Sequence, residues 1–181
     1  MFKSFDTKST SGSTPVKSSV LRAIKQKIVE TNPLMIDIVD ELLPKKPPLM
    51  EYKVTSHLKL YCRGAEPVFF EHRDGPVLPT LRFVHMYPQF FTTYTIDEGA
   101  IPYVLGGANI MCPGLTHKNS SMDVNLPKGS AIVIMACNKE NAIAVGMLTM
   151  STEEIRAKNK GCGVQVDHCL GDGLFNTREL G

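Results

Sequence analysis

The chain has 181 residues, 43% of them hydrophobic and 21% charged, with a formal net charge of +2. That composition suits one large globular domain or two small ones and excludes a nonspecific polyanion binder, which would be basic throughout. No apolar run reaches the roughly 18–20 residues of a membrane helix, and the opening Met-Phe-Lys-Ser-Phe-Asp lacks the apolar core of a signal peptide, so no membrane partner is expected and a cytoplasmic location is.

Phe2 and Phe5 form a short apolar anchor, followed at 7–19 by a Ser/Thr/Lys-rich stretch that reads as a flexible loop. Residues 18–31 have the periodicity of an amphipathic helix, with Val20, Leu21, Ile24 and Ile28 as its stripe. A second helix is predicted from Pro33, burying Met35, Ile38, Val39, Leu42 and Leu43 and ending at Pro44. After the basic turn Lys45-Lys46-Pro47-Pro48, strands are predicted at 52–55, 58–62 and 68–70, with Arg63–Glu66 as a hairpin loop and Asp74-Gly75-Pro76 as a turn. Thr80–Tyr87 reads as a short helix stopped by Pro88. A strand at 92–96 follows, then the stretch 97–115, which reads as a helix capped by Asp97, a Gly106-Gly107 stop, an apolar strand and a Pro-Gly turn. Residues 116–127 form a polar loop, 131–136 and 142–147 buried strands, and 151–158 a helix with a Ser151/Glu154 capping box. Val164–His168, then Leu174 and Phe175, are expected to close the second sheet.

Catalytic chemistry has weak support. Cys112 is the one candidate nucleophile, but it falls in an apolar strand and reads as a buried, inert thiol. Asp97 and Glu98 are adjacent, so their side chains diverge. The histidines lack metal spacing and no Cys-x-x-Cys occurs, so neither a metal nor another cofactor is expected. The five cysteines read as free thiols of a reducing compartment. Gly106-Gly107 lacks the Lys-Ser/Thr of a phosphate-binding loop and the spacing of a dinucleotide fingerprint. Alone, it is a helix stop that leaves backbone open to close approach.

The string Gly-Ala-Asn-Ile-Met-Cys-Pro-Gly at 107–114 closely resembles the signature of the PUA domain, a small RNA-binding pseudo-barrel. Leu-Pro-Lys-Lys at 43–46, Asp-Gly-Pro at 74–76, Pro-Thr-Leu-Arg at 79–82 and Asp-Gly-Leu at 172–174 extend the likeness along the chain. Together they resemble the malignant T-cell-amplified sequence 1 family of translation factors, in which a family-specific N-terminal domain precedes a PUA domain. Phe175 stands where relatives often carry Trp.

The resemblance implies an α/β (mixed α+β) fold: a small α+β domain at 1–92, then a PUA pseudo-barrel at 93–181. It implies no enzyme, but a factor that binds ribosomal RNA of the small subunit, with tRNA as a further candidate. With a density-regulated-protein-like partner carrying a SUI1 domain, it would support initiation, reinitiation and release of deacylated tRNA in recycling. A monomer or heterodimer is expected. An accessory role in ribosome biogenesis or RNA modification is the alternative. The RNA candidates are Gly106, Gly107, Ala108, Asn109, Met111, Pro113 and Gly114, with Lys118, Arg156, Lys158 and Lys160 as nearby cations. The partner candidates are Phe69, Phe70, Arg82 and His85. Residues 1–92 carry 13 Lys+Arg against 9 Asp+Glu, and 93–181 carry 7 against 9, so any RNA contact must be a local patch.

Overall fold

The computed structural model describes residues 1–181. In chain order its elements are β1 (Ser13–Pro15), α1 (Ser18–Thr31), α2 (Val39–Leu42), β2 (Leu49–Thr55), β3 (Leu58–Arg63), β4 (Glu66–His72), β5 (Val77–Pro79) and α3 (Leu81–Met86). The second half holds β6 (Thr93–Ile96), α4 (Ile101–Leu105), β7 (Ile110–Met111), α5 (Cys112–Thr116), β8 (Ala131–Ala136), β9 (Ala142–Leu148), α6 (Thr152–Lys158), β10 (Cys162–Cys169) and α7 (Gly173–Asn176).

The first sheet is a five-stranded antiparallel meander, β1-β2-β3-β4-β5. Helix α1 buries Leu21, Ile24 and Ile28, residues three and four apart that share one helical face. Val20, expected on that stripe, is 43% exposed because it lies a residue off it. The helix is also tied by its polar side: Lys27 donates to the buried Glu71 carboxylate on β4, which accepts from Tyr61 as well. Three expectations change here. The 7–19 stretch contains an edge strand, β1, whose backbone pairs with β2 although every residue of it is exposed. The helix expected from Pro33 splits into a 3-10 turn at Pro33–Met35 and the single turn of α2, because Ile36 and Asp37 point outward. Finally, β5 follows the Asp-Gly-Pro turn directly, a strand too short to show a period.

The second sheet has the order β6-β8-β9-β10-β7, with β6 parallel to β8 and the other pairs antiparallel. Its core is aliphatic: Ile96, Ile132, Ile134, Ile143, Leu148, Ile155 and Val164 pack around Tyr94. Tyr94 is fully buried and its hydroxyl shares a bond with Thr152 and donates to the Val124 carbonyl, which satisfies its polar tip. The Ser151/Glu154 capping box forms as expected at the start of α6.

The larger apolar core crosses between the halves. Phe2, Phe69, Phe70 and Phe83 share it with Val133, Ala142, Val145, Leu174 and Leu180. Leu174 and Phe175 therefore do not close the second sheet. They form α7, capped by Asp172, and Leu174 is buried against the first half's core. Arg82 on α3 donates twice to the Phe175 carbonyl, at 2.9 and 2.6 Å, and its guanidinium lies 4.6 Å from the centre of the Phe175 ring. His85 donates through Nε2 to the Ala142 carbonyl at 2.8 Å.

Candidate nucleic-acid interface

The 97–118 stretch is built from the ends of short helices. Asp97 accepts from the Gly99 N–H and caps a 3-10 turn that runs into α4, as expected. Helix α4 ends in a Schellman motif: the Gly107 N–H bonds to the Val104 carbonyl and the Ala108 N–H to the Tyr103 carbonyl. That motif needs a left-handed residue, and Gly107 supplies it at φ 79°. Val104 points into the core, while Tyr103 is 69% exposed and Leu105 43%.

Strand β7 then brings Met111 to the surface, 52% exposed, and buries Ile110. The Pro-Gly that reads as a turn opens helix α5 instead. Pro113 occupies its first turn, where a missing N–H costs no intrahelical bond, and the Cys112 N–H is taken by the Gly161 carbonyl. Gly114 lets this helix approach the Asp97 turn closely: a Cβ there would lie 3.2 Å from the Ala100 Cβ. Cys112 is thus helical, not extended, and buried. Burial pushes its thiol pKa up, and the S–H donates to the Lys160 carbonyl, so it is a poor thiolate.

These elements enclose an open groove of about 610 Å³. Ala108, Asn109, Met111, Pro113 and Gly114 line it together with Asp97, Ala100 and Tyr103. Gly106 and Gly107 do not line it; they close the helix beside it. Asn109 turns its Oδ1 inward to accept the Val166 N–H at 3.0 Å, so the side-chain nitrogen is the group left for a ligand. Lys118 and Lys160 are exposed and unpaired. Lys158 pairs with Glu154 at 3.1 Å. Arg156 is a brace: it donates to Asn125 Oδ1 at 2.6 Å and to the Met122 carbonyl, holding the 122–125 loop against α6.

The partner candidates fare differently from the RNA candidates. Phe69 is fully buried and Phe70 is 1% exposed, because β4 is covered on both faces. Neither offers a surface to another molecule, which corrects the sequence-based expectation. Arg82 and His85 spend their polar groups on the other half of this chain. Sequence reasoning missed Tyr103 and Lys3. Tyr103 lies on the helix predicted there, but its outward direction depends on where that helix ends. Lys3 lies on Gly107 across the fold, and no local pattern reveals that contact.

A cleft of about 660 Å³ on the seam, lined by Lys27, Asp74, Lys128 and Ser130 among others, contains none of the candidates. No group of three or more His, Cys, Asp or Glu side chains is placed to hold a metal ion. No helix is long and apolar enough to cross a membrane.

Two matches define the class. Residues 3–88 match the Pre-PUA-like domain and residues 90–173 the family described as "elF2D, PUA domain". A conserved PUA domain protein from Thermoplasma acidophilum has a similar structure, with a TM-score of 0.66 at 25% identity, covering 91% of this chain and 98% of that one. A hypothetical protein from Pyrococcus horikoshii shares the fold with a TM-score of 0.74 at 19% identity, again over 91% of this chain and 98% of its own. This is a PUA-domain protein with a Pre-PUA half.

Full-length relatives then specify the family. The chain is 48% identical to Translation machinery-associated protein 20 of Eremothecium gossypii, over 97% of this chain and 98% of the relative. It is 47% identical to the malignant T-cell-amplified sequence 1 homolog of Drosophila melanogaster, over 99% of this chain and all of the relative (100%). The chain belongs to the malignant T-cell-amplified sequence 1/Translation machinery-associated protein 20 family.

Proposed function

We propose that this chain is a non-catalytic translation factor whose PUA half binds ribosomal RNA of the small subunit. The carrying observation is that Ala108, Asn109, Met111, Pro113 and Gly114 of the 107–114 string line one open groove, with the Asn109 amide nitrogen free, while Lys118 and Lys160 of the same half are exposed and unpaired. Cations and amides of this kind contact phosphate and sugar, and they position a protein without reading sequence. Membership of a family whose relatives are named for the translation machinery supports the same reading. In it, a partner resembling density-regulated protein, with a SUI1 domain, joins the chain on the subunit in the cytoplasm. The pair supports initiation, reinitiation and the release of deacylated tRNA, with tRNA a second possible RNA contact.

One observation favours a second use for the groove floor. Tyr103 and Met111 are large, exposed and both line the groove, and Asp97 is the only charged residue lining it. Large apolar anchors of this kind suit a protein segment better than a phosphate chain. Since Phe69 and Phe70 are buried, this floor is the better place for the partner.

The two uses separate experimentally in the full-length chain. Tyr103→Ala with Met111→Ala should abolish capture of the purified SUI1-domain partner. Lys118→Gln with Lys160→Gln should leave capture intact and weaken binding to purified small subunits. If the lysine pair leaves subunit binding unchanged, the RNA face lies elsewhere. Isolated halves are unsuitable here, because cutting near residue 92 would expose the shared core.

A further inference from the structure

The glycine turn beside the groove is neither bare nor able to donate. The N–H groups of Gly106, Gly107 and Ala108 are all committed to carbonyls of α4. A side chain already lies over Gly107: a Cβ built there would sit 3.0 Å from Lys3 Cε, 3.9 Å from Lys3 Cδ and 3.8 Å from Lys3 Nζ. A ligand approaching this turn therefore meets an ammonium group, not open backbone.

Lys3 is held there by its neighbours. Phe2 is 1% exposed and packs edge-on against Phe70 and His168, with ring centres 5.1 and 5.7 Å away. Phe5, also buried, packs against Phe2 at 5.8 Å. The Phe2 carbonyl accepts the Gly173 N–H at 2.9 Å. Gly173 makes room for the arm, since a Cβ there would lie 2.7 Å from the Phe2 oxygen and run into the Phe5 carbonyl. Between these anchors Lys3 is exposed, and it takes part in none of the chain's ion pairs. Its backbone is anchored on both sides and its charge is unspent. Such pre-placement lowers the ordering cost of a contact.

We propose that Lys3 is a phosphate-binding residue of the RNA face, delivered by the N-terminal arm across the seam to the PUA glycine turn. This rests on the reading that the PUA half binds RNA. It makes the RNA face composite, so the first half contributes to it directly.

The test uses full-length protein and purified small ribosomal subunits, with affinity measured across a salt series. Lys3→Gln should weaken binding roughly three- to tenfold near 0.1 M salt and flatten the plot of log affinity against log salt by about one charge. Lys3→Arg should restore both, and melting temperatures should match wild type because Lys3 holds no partner. Unchanged affinity and slope for Lys3→Gln, with Lys118→Gln and Lys160→Gln weakened, would overturn the Lys3 assignment and leave the RNA face standing. If none of the three changes affinity, or the wild type does not bind, the underlying reading falls and the assignment with it. Loss of partner capture with intact subunit binding would assign Lys3 to a protein contact and overturn the proposal.

Discussion

Arg82 shows how one side chain can look functional in sequence and prove architectural in the fold. Its planar fork fits two bonds to a single carbonyl while its face covers the Phe175 ring, a combination lysine cannot reproduce. Arg82→Lys should therefore lower stability by about 1–3 kcal/mol, the scale of charged hydrogen bonds, in urea unfolding. A variant as stable as wild type would show that the α3–α7 contact carries little energy. A second residue-scale prediction concerns Asp172. Burial pushes its carboxyl up, but the bond and charge of His168 and the N–H groups of Cys169 and Phe175 hold it below the ordinary carboxylate range. A carboxylate depressed in the folded state stabilises the fold above its unfolded pKa, near 3.9, and loses that contribution as pH falls through the folded value. The stability gap between wild type and Asp172→Asn should shrink as pH falls from about 5 toward the acid limit, where the carboxylate is protonated in both the folded and the unfolded chain. A gap independent of pH would contradict the role given to this carboxylate.

At the scale of elements, the legible parts were those with a local cause. The α1 stripe at Leu21, Ile24 and Ile28, the short α3 ending before Pro88 and the Ser151/Glu154 box all follow from spacing within one turn or two. Ser151→Ala should cost about 1 kcal/mol and fray α6, read as faster amide exchange at Glu153–Ile155. Equal exchange in both proteins would remove the cap from the account. The misread elements depended on distant partners. Edge strand β1 exists because β2 offers it an unpaired edge, which a Ser/Thr-rich sequence does not announce. The Pro113-Gly114 pair begins a helix because Gly161 takes the Cys112 N–H and Ala100 needs the space over Gly114. Leu174 and Phe175 form a helix because Asp172 caps it and the first half's core receives Leu174.

On the scale of the whole molecule, the candidate site was half legible. The string at 107–114 located the groove, since motif residues adjacent in sequence stay adjacent in space. Which residues face outward was not legible. Phe69 and Phe70 look like surplus apolar surface until β4 is seen covered on both sides, and Lys3 is more than a hundred positions from the turn it overlies. The halves are joined by a shared core and by the Arg82 and His85 bonds, which keeps the N-terminal arm and its Lys3 in place beside the PUA glycine turn. The RNA face proposed for the PUA half includes the exposed Lys118. Four of the five cysteines are buried, so an engineered surface cysteine can be tethered selectively to an iron chelate. Directed hydroxyl-radical probing on purified small subunits should then give focused rRNA cleavage from Lys118→Cys and none from Arg22→Cys, on the outer side of α1. Cleavage from Arg22→Cys with none from Lys118→Cys would contradict the account.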